Sequence, residues 1–218
     1  MDDYSLEYAK QNKNDFWNQV ISNKIKSKRR RAYFMAGTPG AGKSEFATSL
    51  LELNQNLVII DADFFRSQFP GYDGTNSSNF QKGASKLVHI TLDNSLKYGY
   101  SFVLDGTFAI ESATKNIERA LNKGFEVTIH FVYQEPLVAW EYTKKRQEVE
   151  GRHVPKDVFV NAYFKSRDNL IKVKDKFGDE IDIHIVMKNY DNNATEMHFD
   201  VDNIEMVLPK TELEEILT

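Results

Sequence analysis

The sequence predicts an α/β fold of three layers around a mostly parallel five-stranded sheet. Two patterns carry this expectation. Short apolar runs, of the kind that form strands buried on both faces, alternate with longer amphipathic stretches that suit covering helices. Such alternation implies right-handed crossovers, and glycine or proline punctuates the joints. Composition agrees: 218 residues with 41% hydrophobic and 28% charged side chains lie close to the globular average and predict one domain over 1–218.

The candidate strands are Ala32–Ala36 (AYFMA), Leu57–Ile60 (LVII), Ser101–Leu104 (SFVL), Glu126–Tyr133 (EVTIHFVY) and Ile181–Met187 (IDIHIVM). Helices are expected near Lys43–Leu53, Gln81–Tyr98, Ser112–Lys123, Pro136–Glu150 and Pro155–Phe177. Gly124 and Gly178 suit helix C-termini that feed strands, and Pro136 and Pro155 suit first turns. Residues 1–28 read as an N-terminal helix, amphipathic from residue 2, with Leu6, Phe16, Trp17, Val20 and Ile21 as its apolar stripe. Phe69–Asn79 (FPGYDGTNSSN) reads as a loop. Residues 189–218 form a C-terminal extension: a hairpin or short edge element around DNNA, then a helix near Thr211–Leu217.

Composition excludes several functions. With 28 basic against 32 acidic residues the net charge is −4, unlike a general nucleic-acid binder. The absence of cysteine removes disulfides, thiol catalysis and Cys-based metal sites. The polar, acidic start MDDYSLEYAKQNKNDFW is no signal peptide, and no apolar run reaches membrane-spanning length, so a cytoplasmic protein with no membrane partner is expected.

The decisive segment is Gly37-Thr38-Pro39-Gly40-Ala41-Gly42-Lys43-Ser44, which matches G-x-x-x-x-G-K-[ST] between an apolar strand and an amphipathic helix. Its glycines let backbone N–H groups converge on a β-phosphate, Lys43 reaches the β- and γ-phosphates, and the Ser44 hydroxyl ligates Mg²⁺. The Asn-Lys-Asn-Asp run at Asn12–Asp15 lies upstream of this loop, where it cannot read guanine, so ATP is the expected nucleotide and the run a solvated helix face.

Acidic residues follow the second and third strands, at the ligand edge of a parallel sheet. Asp105 ends Phe102-Val103-Leu104-Asp105, which resembles a metal-holding Walker-B strand; a helix-capping role is the alternative. Asp61 and Asp63 point to opposite sides of an extended chain, so one of them is expected to face the phosphates and accept the proton of an acceptor hydroxyl. A capping aspartate with a surface arginine at Arg66 is the plainer reading of the same phrase.

Taken together, AGTPGAGKS, VIIDADFFRSQFPGYDG, VLDGTF and the arginine pair in KKRQEVEGRHVP resemble the zeta-toxin family of P-loop kinases over roughly residues 30–190. The resemblance implies a P-loop kinase fold and an ATP- and Mg²⁺-dependent phosphotransferase related to uridine and polynucleotide kinases. The best-known members phosphorylate UDP-N-acetylglucosamine at the sugar 3′-hydroxyl, which poisons cell-wall synthesis, and are held inactive by a small helical antitoxin. By resemblance, Asp63 is the general base, and Arg66, which stands where the family often has a basic residue, is expected to bind the acceptor. Asp105 and Thr107 match an acceptor-contacting E-G-T segment. Arg146 and Arg152 match two lid arginines, within a lid-like segment at 145–155. Independently, phosphoryl transfer spreads charge that guanidinium groups on a closing lid can stabilise, although Arg146 after Lys144 and Lys145 also fits a solvated basic face.

Three departures point to an altered acceptor pocket. Asp105 replaces the family glutamate, Phe108-Ala109 stands where several toxins carry a basic residue, and the stretch between the arginines is short. The acceptor is therefore expected to be a small molecule, with a nucleotide-sugar as the family precedent. The alternatives are a polynucleotide or nucleoside 5′-hydroxyl kinase and a regulatory ATPase without an acceptor. The run Lys24–Arg31 reads as basic residues at a helix C-terminus, with an anionic partner as the alternative. His130 and His184 are expected to be satisfied within the core, His153 belongs to the lid segment, and Tyr72, Phe80 and Tyr100 serve the core or the acceptor side.

Overall fold

In the computed structural model, which describes residues 4–208, six strands form one sheet in the order β2-β3-β1-β4-β5-β6. These are β1 (Arg31–Ala36), β2 (Val58–Asp61), β3 (Phe102–Asp105), β4 (Glu126–Tyr133), β5 (Ile181–Lys188) and β6 (Ala194–His198). The first five run parallel, and β6 pairs antiparallel with β5, Val186 opposite Met197. Five strands were expected. The hairpin anticipated around DNNA does form, and its second arm adds the sixth strand to the sheet.

Helices cover both faces. On one lie α1 (Tyr4–Gln11), α2 (Lys13–Val20), α5 (Gln81–Tyr98), α6 (Ala113–Asn122) and α8 (Lys156–Phe177), whose Ala9, Phe16, Leu87, Ile117 and Leu170 join Phe34, Ile60, Phe102, Ile129 and Ile183 in the main core. On the other, α3 (Lys43–Leu53) packs Ala47, Phe46 and Leu50 against Met35, Val103, Val132 and Val186. This alternation of strand side chains between two apolar layers is what sequences such as IHFV encode. α7 (Pro136–Glu150) opens on Pro136, capped by the Glu135 carboxylate, which accepts from Val138 N at 2.9 Å; Ala139 and Trp140 bind α7 to Phe159 and Tyr163 of α8. The short α4 (Ala62–Arg66) and α9 (Ile204–Val207) were not anticipated.

The N-terminal segment departs from a single helix over 1–28. It breaks at Asn12, whose Nδ2 turns back to the Tyr8 carbonyl at 2.9 Å, and helix ends at Val20. Phe16 and Val20 are buried with Trp17 and Ile21 beside them, but Ser5 and Ala9, not Leu6, face the core in the first helix. Ser5 Oγ accepts from Gly83 N of α5 at 3.1 Å, a close approach a bulkier side chain would prevent. Lys13–Asp15 are exposed, as a solvated face should be.

Lys24–Arg31 consequently lies beyond any helix C-terminus. Like charges repel, and these side chains disperse: Lys24 donates to the Gln55 carbonyl at 2.6 Å, Arg30 to the Lys123 carbonyl at 3.1 Å, and Arg29 pairs with Glu126. The expected loop 69–79 ends in a 3₁₀ turn at Ser77–Phe80, and Tyr72 and Phe80 pack on each other, as Tyr100 does on Trp17. These rings belong to the core.

His130 also differs from expectation. It is 4% exposed, yet neither ring nitrogen has a hydrogen-bond partner, and burial beside His184 drives its pKa down to about 3, so it packs as a neutral ring between Phe46 and His184. The expected helix at 211–217 lies outside the described residues. Among the described residues no helix is long and apolar enough to cross a membrane.

Candidate active site

At the C-terminal edge of the sheet a cleft of about 680 Å³ opens between the turn after β1, the ends of β2 and β3, and α7 with the segment that follows it. The turn after β1 is the glycine-rich loop. Gly37 has φ +126°, and a Cβ there would lie 2.3 Å from the Val132 carbonyl oxygen of β4; Gly40 has φ +75°, and its Cβ would lie 2.1 Å from the Ala139 carbonyl oxygen of α7. Both positions need glycine for conformation and for space. Pro39, Gly40, Gly42, Lys43 and Ser44 line the cleft, while Thr38 and Ala41 are buried and, with Gly37, form the rear of the loop.

Lys43, first residue of α3, is 8% exposed and donates from Nζ to the Thr38 carbonyl, closing the loop. Burial pulls its pKa down to about 8; the neighbouring charges of Arg146 and Arg152 add to this and that of Asp105 opposes it. Ser44 Oγ donates to Asp105 Oδ2 at 2.7 Å. Burial raises the Asp105 pKa, against the hydrogen bond from Ser44 and the charge of Lys43. A hydroxyl and a carboxylate side by side at the loop's exit are hard oxygen ligands of the kind Mg²⁺ takes, since that ion keeps several waters and binds through one or two protein groups plus substrate phosphates. The donor set fits the ion.

Asp61 and Asp63 do not alternate along an extended strand as expected. The chain turns into α4 at Asp61, whose carboxylate caps it by accepting from Asp63 N at 2.9 Å and Phe64 N at 3.2 Å. Both carboxylates therefore reach the cleft. Burial, then the charge of Asp63, pushes Asp61 up to about 6. Asp63 is surrounded by guanidinium groups: Arg66 on its Oδ1, and Arg152 and Arg146 on its Oδ2, the last at 3.3 Å.

Arg66 corrects an expectation. It was assigned to acceptor binding, or else to the surface, but it is 2% exposed and lies behind Asp63, its second nitrogen donating to Gln81 Oε1 at 2.6 Å. One turn of α4 places Arg66 on the same face as Asp63, so it orients that carboxylate and does not reach the cleft. Lys145, Arg146 and Arg152 do line the cleft, and Arg146 also pairs with Glu150 at 2.7 Å. His153 meets Gln147 at 2.9 Å.

Thr107 lines the cleft and, through its carbonyl, accepts from Gly37 N at 3.2 Å. Phe108 follows in a left-handed conformation at φ +63°. Buried Asn169 of α8 holds this turn, donating from Nδ2 to the carbonyls of Phe108 at 2.8 Å and Ile110 at 3.0 Å. Nothing in the sequence distinguishes Asn169 from other polar residues of an amphipathic helix. Tyr142 and Asn192, from α7 and the β5–β6 turn, also face the cleft and were not anticipated.

A family model described as Zeta toxin matches residues 14–200. The chain belongs to the zeta-toxin family. Among its relatives, Toxin PezT of Streptococcus pneumoniae serotype 4 is 31% identical over 138 residues, covering 59% of this chain and 54% of that protein. Toxin zeta of Streptococcus pyogenes is 24% identical over 102 residues, covering 43% of this chain and 36% of that one. The chain thus spans about half or less of the length of these curated zeta toxins.

Solved structures agree on the fold of this zeta-toxin family chain. One from the PezAT chromosomal toxin–antitoxin system of Streptococcus pneumoniae superposes with a TM-score of 0.67 at 22% identity, covering 100% of this chain and 86% of that one. AvrRxo1-ORF1:-ORF2 with ATP gives 0.64 at 15% identity, covering 89% and 64%. These likenesses show the shared fold, a mostly parallel sheet with helices on both faces.

Proposed function

We propose that this zeta-toxin family chain transfers the γ-phosphoryl group of ATP to the hydroxyl of a small-molecule alcohol. The observation that carries the reading is the convergence on one cleft of the Lys43–Ser44 loop, the Asp63 carboxylate and the two guanidinium groups of Arg146 and Arg152. On this reading the loop and Lys43 hold the triphosphate, and Asp63 accepts the proton of the acceptor hydroxyl as its oxygen attacks the γ-phosphorus in line. The bond from that phosphorus to the β–γ bridging oxygen breaks, ADP leaves, and the proton passes from Asp63 to solvent. Arg146 and Arg152 exchange the Asp63 oxygens for those of the transferring group, where charge is greatest. Ser44 and Asp105 would hold Mg²⁺, which when bound shields the phosphate charge.

The polynucleotide reading loses its motive, because Arg29–Arg31 sit at the N-terminal end of β1, opposite the cleft, with Glu126 paired to Arg29. A regulatory ATPase also needs a group that positions its attacking water, so transfer to an alcohol, measured below, is what separates the two readings. The toxin role and a helical antitoxin partner rest on kinship with PezT and the PezAT system, and the nucleotide-sugar acceptor on the family precedent.

The test is Asp63→Asn, with turnover on ATP·Mg²⁺ and a panel of alcohols followed by mass. Transfer should fall at least about 10²-fold while binding of an ATP analogue persists. Transfer at the original rate would exclude Asp63 as the base. In cells, expression of the unaltered chain should arrest growth, and Asp63→Asn should relieve the arrest.

A further inference from the structure

The loop between α4 and α5 reaches across to the segment that carries Arg152. Within it Gly74 is buried, although its neighbours Asp73 and Thr75 are exposed. Gly74 has φ +90°, and a Cβ there would lie 2.1 Å from the carbonyl oxygen of Glu150, the last residue of α7. From the other side Gly151 has φ +73°, and its Cβ would lie 2.8 Å from Thr75 Cγ2 and 3.1 Å from the Thr75 nitrogen. Two glycines thus let backbone lie on backbone at one point. Gly71 of the same loop has φ +81° but meets nothing within 4 Å. The left-handed conformation is common to both loop glycines; the close approach belongs to Gly74.

The loop is braced from within. Asp73 Oδ1 accepts from Thr75 Oγ1 at 2.8 Å and from Asn76 N at 3.1 Å, and Asn76 Nδ2 donates back to the Gly71 carbonyl at 2.8 Å. Phe69 and Phe80 pack on each other and fasten its two ends in the main core. One end leaves α4, which carries Asp63. The other enters α5 at Gln81, which accepts from Arg66 behind that same carboxylate. At the tip, Glu150 pairs with Arg146 and Gly151 precedes Arg152, the two residues whose guanidinium groups meet Asp63 Oδ2.

We infer that Gly74 is a positioning residue for phosphoryl transfer: residues 71–76 form a strut whose contact with Glu150 and Gly151 sets the place of Arg146 and Arg152 relative to Asp63. The inference rests on the kinase reading above and adds to it a control on geometry. Both guanidinium groups must meet the transferring group beside Asp63, and a misplacement of about 1 Å in such a constellation costs on the order of 10²-fold in rate. A methyl group at Gly74 has no room against the Glu150 carbonyl, so it shifts the end of α7, and Arg152 with it, relative to Asp63. The glycine loop rests elsewhere, on Val132 of β4 and Ala139 in the first turns of α7, so its hold on a triphosphate is left intact.

The test compares Gly74→Ala with Gly71→Ala in the full chain. Both put a methyl group at a left-handed position of one loop, so the conformational cost is shared and only the first creates the collision. Transfer from ATP·Mg²⁺ to UDP-N-acetylglucosamine and to the alcohol panel above is followed by mass, beside the Kd of a non-hydrolysable ATP analogue. Gly74→Ala should lower kcat at least about tenfold with that Kd within twofold, and Gly71→Ala should keep both within twofold. In an Arg152→Ala background the cost of Gly74→Ala should shrink at least threefold, because its effect runs through that side chain. Trypsin, which needs no acceptor, should cut after Arg152 at least threefold faster in Gly74→Ala than in Gly71→Ala. Should Gly74→Ala fail to fold, Asn76→Ala, which removes the brace to Gly71, should lower kcat at least threefold with the same Kd. Equal kcat in the two glycine variants, a Kd that weakens as much as kcat falls, or an undiminished loss in the Arg152→Ala background would each overturn the inference. If the unaltered chain binds the analogue yet phosphorylates no alcohol, the kinase reading fails, and the trypsin comparison still decides whether the strut holds Arg152.

Discussion

Arg152 donates to the carboxylate of Asp63 across 89 positions of sequence, joining the segment after α7 to the start of α4. Arg146 reaches the same oxygen from the last turns of α7, so both arginines converge on the carboxylate proposed to act as base. A γ-phosphate entering the cleft is the stronger anion and carries more oxygens for bidentate contact, so it draws these guanidinium groups away. On the proposed reading, that exchange would couple nucleotide binding to the exposure of Asp63.

Arg152→Ala should lower phosphoryl transfer by about 10²-fold or more, because the lost contact strengthens as charge develops on the transferring group. Binding of an ATP analogue should change much less, since removing Arg152 also frees Asp63 of one partner. Steady-state turnover and equilibrium titration separate the two effects. A weakening of binding that matches the loss of turnover would place Arg152 in ground-state nucleotide affinity alone.

Lys43 should make nucleotide binding pH-dependent. Its pKa in the free protein is pulled down to about 8 by burial and by the adjacent arginines, well below the ordinary lysine value. Phosphate oxygens favour the protonated amine, so above pH 8 binding must take up a proton. The ATP-analogue Kd should rise toward roughly tenfold per pH unit above 8. Calorimetry in two buffers of different ionisation heat should detect the uptake at pH 8.5, and Lys43→Met should abolish it. Binding without proton uptake would exclude the linkage.

The Asp61 pKa shifts the other way, upward. Its pKa in the folded protein, raised to about 6 chiefly by burial and next by Asp63, exceeds the ordinary aspartate value. The fold therefore binds the proton more tightly than the unfolded chain, and the Asp61 contribution, complete below the unfolded pKa, is lost as pH rises through 6. Asn caps helices about as well as Asp. Asp61→Asn should then raise stability at pH 7.5 by about 1–2 kcal/mol, and the gain should vanish by pH 4. Denaturant melts at the two pH values measure it, and equal gains at both would refute the assignment.

Regular, two-sided burial made the frame legible. Helices Lys43–Leu53, Gln81–Tyr98 and Pro136–Glu150 and strand Glu126–Tyr133 match their expected bounds; Pro136 opens α7, and Gly99 and Gly151 close α5 and α7 in left-handed turns. The glycine loop was legible because its spacing is a mechanical requirement. What the sequence could not disclose depended on tertiary packing. Asp61 and Asp63 share the cleft because Asp61 caps a five-residue helix too short to leave a periodic signal. Arg66 is buried because α5 closes over it through Gln81, a contact 15 residues away.

Asn169 links α8 to the turn after β3 across 61 residues. Phe108 holds φ +63°, a left-handed conformation that a bulky residue adopts at a cost of roughly 1–3 kcal/mol. Two hydrogen bonds from one buried amide keep that turn in place. Asn169→Ala leaves the Phe108 and Ile110 carbonyls without their donor, so stability should fall by about 1–3 kcal/mol. Asn169→Asp should cost more, because it points a carboxylate at two carbonyl oxygens. If the turn shapes the acceptor's seat, the acceptor KM should rise several-fold in Asn169→Ala while the ATP-analogue Kd stays constant, since the glycine loop keeps its own contacts. A change in both constants by the same factor would make Asn169 a general support of the fold, with no selective hold on the acceptor side.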